Sequence, residues 1–339
     1  MNTKRIAVLT SGGGAPGMNV AIRALKRKGL YHNLEVIGIA NGYEGLIQGD
    51  FLPIEARTVA GIIKEGGSIL KLGGRERLDT LAGLTKAVAN IKEKRIDIVV
   101  ALGGNETLAN AKKLSAAGIM TIVIPATINN DMPTTDYTIG FDTALNTILQ
   151  AINKIRDTVS SHDRVAIVEI IDGCFGQLTF MAGLASGAEA VLVPDKTVDM
   201  EGLCQGLIKS SQRGKLYSII LVSQGVADCY AVADQIEKRT SFTSRVTVLG
   251  HTPRGGAPSA MDSINASCMG ASAIDYILQG KANAMVVMNR HGLKVVPYEE
   301  LTSRSTIAPE LAELLSILAV KEIKPVLTEK VNQELCHTL

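Results

Sequence analysis

The chain alternates short, nearly continuous apolar runs with stretches in which apolar residues recur every three or four positions. Continuous apolar runs suit strands buried on both faces, and the helical spacing between them suits the helices that cover those faces. Residues 5–10, 34–40, 96–102 and 119–125 read as parallel strands, with a helix from about Asn19 after the first. Leu145, Ile148, Leu149, Ile152, Ile155 and Val159 mark a long amphipathic helix over 144–159 that carries the chain into a second lobe. That lobe has predicted strands at 165–171, 217–222 and 246–250 and helices at 199–209 and 230–240. A helix over 263–278 and a strand over 284–288 follow, and the polar stretch 321–339 reads as a tail. Strands alternating with helices in this way predict an α/β protein with mostly parallel sheets.

Length and composition narrow the function. At 339 residues the chain can bury two cores, and 46% hydrophobic against 20% charged residues describes a compact globular protein. A net charge of +2, no tryptophan and 4% aromatics argue against nucleic acid or an acidic membrane surface. Five scattered cysteines with no CxxC spacing suit reduced thiols, not a disulfide framework or a zinc site. No signal-peptide pattern and no membrane-length apolar run is visible, so the expected location is the cytoplasm.

Two glycine turns carry the candidate chemistry. Ser11-Gly12-Gly13-Gly14-Ala15-Pro16-Gly17 follows a predicted strand and opens a helix. Backbone N–H groups in such a turn, with the helix N-terminus behind them, suit a phosphate. The spacing of Gly12, Gly14 and Gly17 also matches a dinucleotide fingerprint, but the second strand ends in Ala40-Asn41 where that reading wants an acid. A plain strand–helix turn without a ligand is the simpler alternative. Gly103-Gly104-Asn105-Glu106-Thr107 ends another strand, and Asn105 is expected to cap the following helix. Arg164, Arg245, His251 and Arg254 fall at strand ends of the second half, where guanidinium forks could grip a phosphate monoester or simply form surface ion pairs.

Together these motifs closely resemble the bacterial-type, ATP-dependent 6-phosphofructokinases. The resemblance spans residues 3–320 and rests on Leu9-Thr10-Ser11-Gly12-Gly13, Pro16-Gly17-Met18-Asn19, Thr127-Ile128-Asn129-Asn130-Asp131 and Ile139-Gly140-Phe141-Asp142-Thr143. Lys154-Ile155-Arg156-Asp157-Thr158 and Arg254-Gly255-Gly256 extend it. It implies a phosphofructokinase fold of two Rossmann-like three-layer lobes, one from 1–140 with 253–302 and the other from 141–252 with 303–320. It also implies a homotetramer and transfer of the γ-phosphoryl of ATP, with Mg2+, to fructose 6-phosphate. The catalytic positions would be Thr127, Asn129 and Asp131, and those for nucleotide Gly13, Gly104, Asn105, Thr107 and Arg75. Sugar phosphate would meet Arg164, Arg245, His251, Arg254, Gln224 and Ile171. A nucleotide or phosphoenolpyruvate effector would meet Arg23, Arg27, Arg156, Arg213 and Lys215, with Glu189 at its magnesium.

The departures from the family pattern lie at the reacting centre. The family's base is the first Asp of Thr-Ile-Asp-Asn-Asp, and here that residue is Asn129. Its magnesium-site Asp is Asn105, the Asp of the first glycine turn is Gly14, and two phosphate-binding arginines become Gly74 and Gly173. Arg75 or Arg77 could replace the first of those arginines, and Asp172 or Glu106 could stand in at the metal. The sugar-binding Glu is Gln224 and the neighbouring Met is Ile171. The pyrophosphate-using branch would carry Gly-Gly-Asp-Asp at 103–106, which Asn105-Glu106 does not supply. The expectation is therefore a sugar-phosphate-binding family member with lost or impaired catalysis, acting as a regulatory subunit alone or with an active paralogue. The alternatives are an active 6-phosphofructokinase with rearranged acid–base groups and a kinase of another sugar phosphate.

Overall fold

The computed structural model describes residues 4–73, 78–173, 175–194, 199–302 and 307–319. The chain divides into two compact units, Met1–Thr143 with Arg254–Arg304 and Ala144–Pro253 with Ser305–Leu339. In chain order the first unit contains β1 (Arg5–Thr10), α1 (Met18–Tyr31), β2 (Glu35–Ile39), α2 (Gly42–Gln48), β3 (Phe51–Pro53), α3 (Leu81–Glu93), β4 (Ile98–Gly103), α4 (Asn105–Ala116) and β5 (Thr121–Pro125). Helix α5 (Phe141–Ser160) leads into the second unit, which holds β6 (Val165–Ile170), α6 (Gln177–Ser186), β7 (Ala190–Leu192), α7 (Met200–Gln212), β8 (Ser218–Ser223), α8 (Cys229–Thr240) and β9 (Ser244–Val248). The first unit resumes with α9 (Ala260–Leu278), β10 (Ala284–Asn289) and β11 (Gly292–Pro297), and α10 (Pro309–Leu318) belongs to the second.

The first unit is built on a seven-stranded sheet in the order β11-β10-β5-β4-β1-β2-β3. Its central strands β4 and β5 are buried at every position, and β1 at every position but Arg5. That accounts for their uninterrupted apolar sequences. One face is closed by a core in which Tyr43, Leu46, Ile91 and Leu114 pack on Ala7, Leu9, Val99 and Ala101. Leu108, Val123, Met132, Met285 and Val287 form a further cluster. The second unit has a four-stranded, fully parallel sheet, β7-β8-β6-β9. Its core joins Val165, Ile167, Ile220 and Val222 to Leu203, Leu207, Val232 and Ile236 of α7 and α8.

The long apolar runs become strands within one or two residues of their predicted bounds, the usual uncertainty of element ends. The sequence pattern misses the short edge strands β3 and β11, which pair antiparallel to β2 and β10. Both are half exposed, so neither shows a continuous apolar run. The segment 321–339, read as a tail, lies outside the described residues. Among the described residues no helix is long and apolar enough to cross a membrane.

Candidate active site

Strands β1 and β4 are hydrogen-bonded neighbours, yet the chain leaves β1 toward β2 on one side and reaches β4 on the other. Strand order reverses at that point, and ligands of open α/β sheets bind in the crevice it leaves beyond the strand carboxyl ends. The turn after β1 and the turn after β4 lie side by side there. The Ser11 amide donates to the Leu102 carbonyl at 3.0 Å, and the Thr107 hydroxyl donates to Ser11 Oγ at 3.1 Å. Gly103 has no room for a side chain, since a Cβ would sit 2.2 Å from Thr107 Oγ1 and 2.7 Å from the Ser11 carbonyl oxygen. Helix α4 has no side-chain cap and its first residues, Asn105 and Glu106, are exposed, which leaves first-turn amides open for an anion, whereas the start of α1 is buried against Ile139.

Asn105 does not cap α4, contrary to expectation. Gly104, in extended conformation, takes the cap position and starts the helix one residue earlier. Asn105 is thereby the first helical residue, and its Nδ2 donates across to the Asp131 carbonyl at 3.3 Å.

The loop after β5 is the third wall. The Ala126 amide donates to the Gly103 carbonyl at 2.9 Å, and a Cβ on Gly104 would contact Thr127 Cβ at 3.5 Å. The loop braces itself. The Asn129 amide donates to Thr127 Oγ1 at 3.2 Å, the Thr138 hydroxyl donates to the Thr127 carbonyl at 2.6 Å, and Asn130 Nδ2 donates to the Asp136 carbonyl at 3.1 Å. Asn130 adopts the left-handed conformation that asparagine tolerates. Asn129 Oδ1 is buried and has no hydrogen-bond partner among the described residues. It is an acceptor that a substrate hydroxyl could satisfy. The structure thus gathers Gly13, Gly104, Asn105, Thr107, Thr127, Asn129 and Asp131 within one unit, while Arg75 and Arg77 lie outside the described residues.

Arg254 joins this group from the far end of the sequence. Its guanidinium lies against Gly13, and Asp131 is the carboxylate whose charge it feels. Burial lowers the Arg254 pKa from its usual value, an effect Asp131 partly offsets. The donor set does not fit a resident Mg2+. The position expected to hold it is the amide of Asn105, and the nearby carboxylate of Asp131 lies beside a guanidinium. Among the described residues no three His, Cys, Asp or Glu side chains converge. Magnesium prefers carboxylate and phosphate oxygens.

Arg164 and Arg245 belong to the second unit, where they line a depression of about 280 Å³ together with Lys154, Thr158 and Thr247. Its three cations suit an anion, and only the arginines stand out in the sequence. His251 is exposed beyond β9 of the same unit. Ile171 and Gln224 follow the adjacent strands β6 and β8, joined by a 2.9 Å bond from the Gln224 amide to the Ile170 carbonyl.

Asp172 is not free to ligate magnesium. It is buried, and its carboxylate accepts from the amides of Gly173 (2.8 Å), Leu178 (3.3 Å) and Thr179 (2.7 Å) around the start of α6. Burial outweighs those donors and pushes its pKa up to about 6. A carboxyl that holds its proton more tightly when folded stabilises the fold most at low pH, and loses that contribution as pH rises from about 4 to about 6. Wild type should therefore lose roughly 2 kcal/mol over that window relative to Asp172→Asn, as read from urea unfolding at stepped pH. Equal pH dependence of the two proteins would refute the assignment. Glu106, the other substitute ligand, is exposed on the first turn of α4.

The candidate effector residues are placed as follows. Arg23 and Arg27 lie on α1 in the first unit, and Arg23 Nε is buried without a partner among the described residues. In the second unit Arg156 donates to the Ser186 carbonyl, and Glu189 is buried between Lys215 and the Ile219 amide. Its carboxylate is thus committed to protein partners. Arg213, two residues before Lys215 in the chain, is exposed.

One structurally important group is nearly silent in the sequence. Asp262, fully buried at the start of α9, accepts from the Tyr137 hydroxyl (2.6 Å), the Gly140 amide (2.6 Å), and the amide (2.8 Å) and hydroxyl of Thr143. Its only sequence signal is Ser259, whose hydroxyl caps α9 at the Asp262 amide.

Residues 5–277 match the family model described as Phosphofructokinase. The chain belongs to the phosphofructokinase family. Among its relatives is a protein of Clostridium novyi (strain NT) named ATP-dependent 6-phosphofructokinase, 46% identical over 319 residues that cover 93% of this chain and 99% of the relative. Another of the same name, from Shouchella clausii (strain KSM-K16), is 44% identical over 318 residues, covering 94% and 100%. The crystal structure of Pichia pastoris phosphofructokinase in the T-state superposes with a TM-score of 0.84 at 27% identity, over 89% of this chain and 35% of that longer one. A pyrophosphate-dependent phosphofructokinase from Marinobacter aquaeolei gives 0.81 at 18% identity, over 96% and 94%, and so shares the fold. The two-unit phosphofructokinase fold expected from the resemblance is the fold observed.

Proposed function

We propose that this phosphofructokinase-family chain is a working enzyme that transfers the γ-phosphoryl of ATP to fructose 6-phosphate, giving ADP and fructose 1,6-bisphosphate. The supporting observation is the pair of glycine turns and the Thr127–Asp131 loop at the strand-order reversal, in a chain whose relatives, 44–46% identical over nearly their full length, are named for that reaction. Those relatives favour catalysis over the purely regulatory role that the amides alone suggest. In this reading Asn129 Oδ1 accepts a hydrogen bond from the attacking hydroxyl and orients it but takes no proton. As the new O–P bond forms and the bond to ADP breaks, the hydroxyl proton passes to an oxygen of the transferred phosphoryl group and from there to solvent. Rate then comes from positioning and charge compensation. Arg164 and Arg245 contribute to sugar-phosphate binding.

A second reading keeps the binding and drops the chemistry. It is favoured by Asn129 and Asn105, and it makes the chain a sugar-phosphate- and effector-binding subunit of a homotetramer or of an assembly with an active paralogue. A coupled assay on purified protein with Mg-ATP separates the two. Turnover that requires both ATP and fructose 6-phosphate, and that co-purifies with the chain, is the expected result. A rate equal to the protein-free background would establish the second reading.

A further inference from the structure

Residues 135–140 run back from the 127–131 loop as a strap that touches two walls of the crevice. On one side the Thr138 hydroxyl donates to the Thr127 carbonyl at 2.6 Å and lies 3.2 Å from Asn130 Oδ1. Ile139 forms a parallel bridge with Ala126, its amide donating to the Pro125 carbonyl at 3.0 Å. On the other side the strap lies against the first glycine turn. A Cβ on Gly17 would fall 2.6 Å from Ile139 Cγ2, and one on Gly140 would fall 2.6 Å from Ala15 Cβ. Ala15, Thr138 and Ile139 are fully buried. Close-packed, buried segments transmit a displacement and do not absorb it. A shift of the strap therefore moves the loop that carries Asn129 and the turn that begins α1 together.

The strap is held from outside by one carboxylate. A single oxygen of Asp262, on α9, accepts from the Tyr137 hydroxyl (2.6 Å) and from the Gly140 amide (2.6 Å), the two residues that bracket Thr138 and Ile139. The other oxygen takes the amide and hydroxyl of Thr143. Asp262 is fixed in turn, because Ser259 accepts from its amide at 3.2 Å and donates to Asp142 at 2.5 Å. Hydrogen bonds to an ionised acceptor are the strong ones. We propose that Tyr137 and Asp262 are positioning residues for phosphoryl transfer, clamping the strap that sets the spacing between the first glycine turn and the Asn129 side chain. This rests on the phosphoryl-transfer reading of the crevice. Where no side chain takes the proton, rate depends on geometry, and a misplacement of about 1 Å costs on the order of 100-fold.

Tyr137→Phe is the test, since it removes one donor from Asp262 and keeps the ring. Tyr298→Phe is the control. Tyr298 is also a buried tyrosine of the first unit, but its hydroxyl meets Thr121 Oγ1 (2.9 Å) at the start of β5, the end of that strand away from the loop. With Mg-ATP and fructose 6-phosphate, Tyr137→Phe should lose about 10- to 100-fold in kcat while both KM values stay within about 3-fold. Tyr298→Phe should show a similar fall in Tm and keep kcat within about 2-fold. Hydrogen exchange read by mass spectrometry should quicken by about 10-fold in residues 11–17 and 125–131 together, in Tyr137→Phe only. A Tyr137→Phe protein with the kcat of wild type, or with a loss that Tyr298→Phe matches, would overturn the assignment. So would a loss confined to KM, or quickened exchange in only one of the two segments. Wild type without turnover would remove the enzymatic reading alone. The exchange result would then decide the clamp, which stands if both segments quicken and falls if neither does.

Discussion

Asn129→Asp should raise kcat for fructose 6-phosphate by about 10²–10⁴-fold, the range a positioned general base supplies. The Asn129 amide cannot accept a proton near neutral pH, but it stands where the resemblance expects the base, in a loop already braced by Thr127, Thr138 and Asn130. A carboxylate there would share its loop with Asp131, and a nearby like charge raises a carboxylate pKa toward the range where it can act as a base. Steady-state kinetics of the purified variant gives the measurement, with KM for the sugar expected to stay within a few-fold. A kcat no higher than wild type would mean that the missing base does not limit turnover. The wider loss of nucleotide-site groups, Asn105, Gly14 and Gly74, would then be the barrier. Adding Asn105→Asp separates these cases: it restores a carboxylate for Mg2+ and should help only where the nucleotide end is limiting.

The second large effect concerns stability. Asp262→Ala should cost about 4 kcal/mol, because it strands four donors, from Tyr137, Gly140 and Thr143, in a buried setting. These donors begin α5 and end the segment that returns from the Thr127–Asp131 loop, so the loss loosens the site as well as the core. For a unit of this size the cost corresponds to a fall in Tm of roughly 10 °C. Asp262→Asn should do less damage, since it keeps the volume and one acceptor. Urea unfolding of both variants tests this, and an Ala variant within 1 kcal/mol of wild type, about the scale of a single ordinary hydrogen bond, would show the donors satisfied in another way.

Much of the candidate site is legible in the amino-acid sequence. The glycines at 12–14 and 103–104, the loop ending in Asp131, and the amides at 105 and 129 are local features, readable because each strand ends where its apolar run ends. The capping of α4 is not legible, for an equally local reason: one residue of extended glycine moves the helix start and redirects Asn105 toward Asp131. By sequence Asp172 is a spare metal ligand, but in the fold the start of α6 occupies its oxygens.

The amino-acid pattern by itself determined the parallel strands, the break near α5 and the family, because continuous burial forces continuous apolar sequence and glycine turns have few substitutes. Tertiary structure alone decided that β1 pairs directly with β4, that Arg254 rests on Gly13, and that Asp262 gathers the donors of a distant segment. Strand order and the direction of a long side chain are fixed by packing among segments far apart in the chain, and no local pattern encodes either.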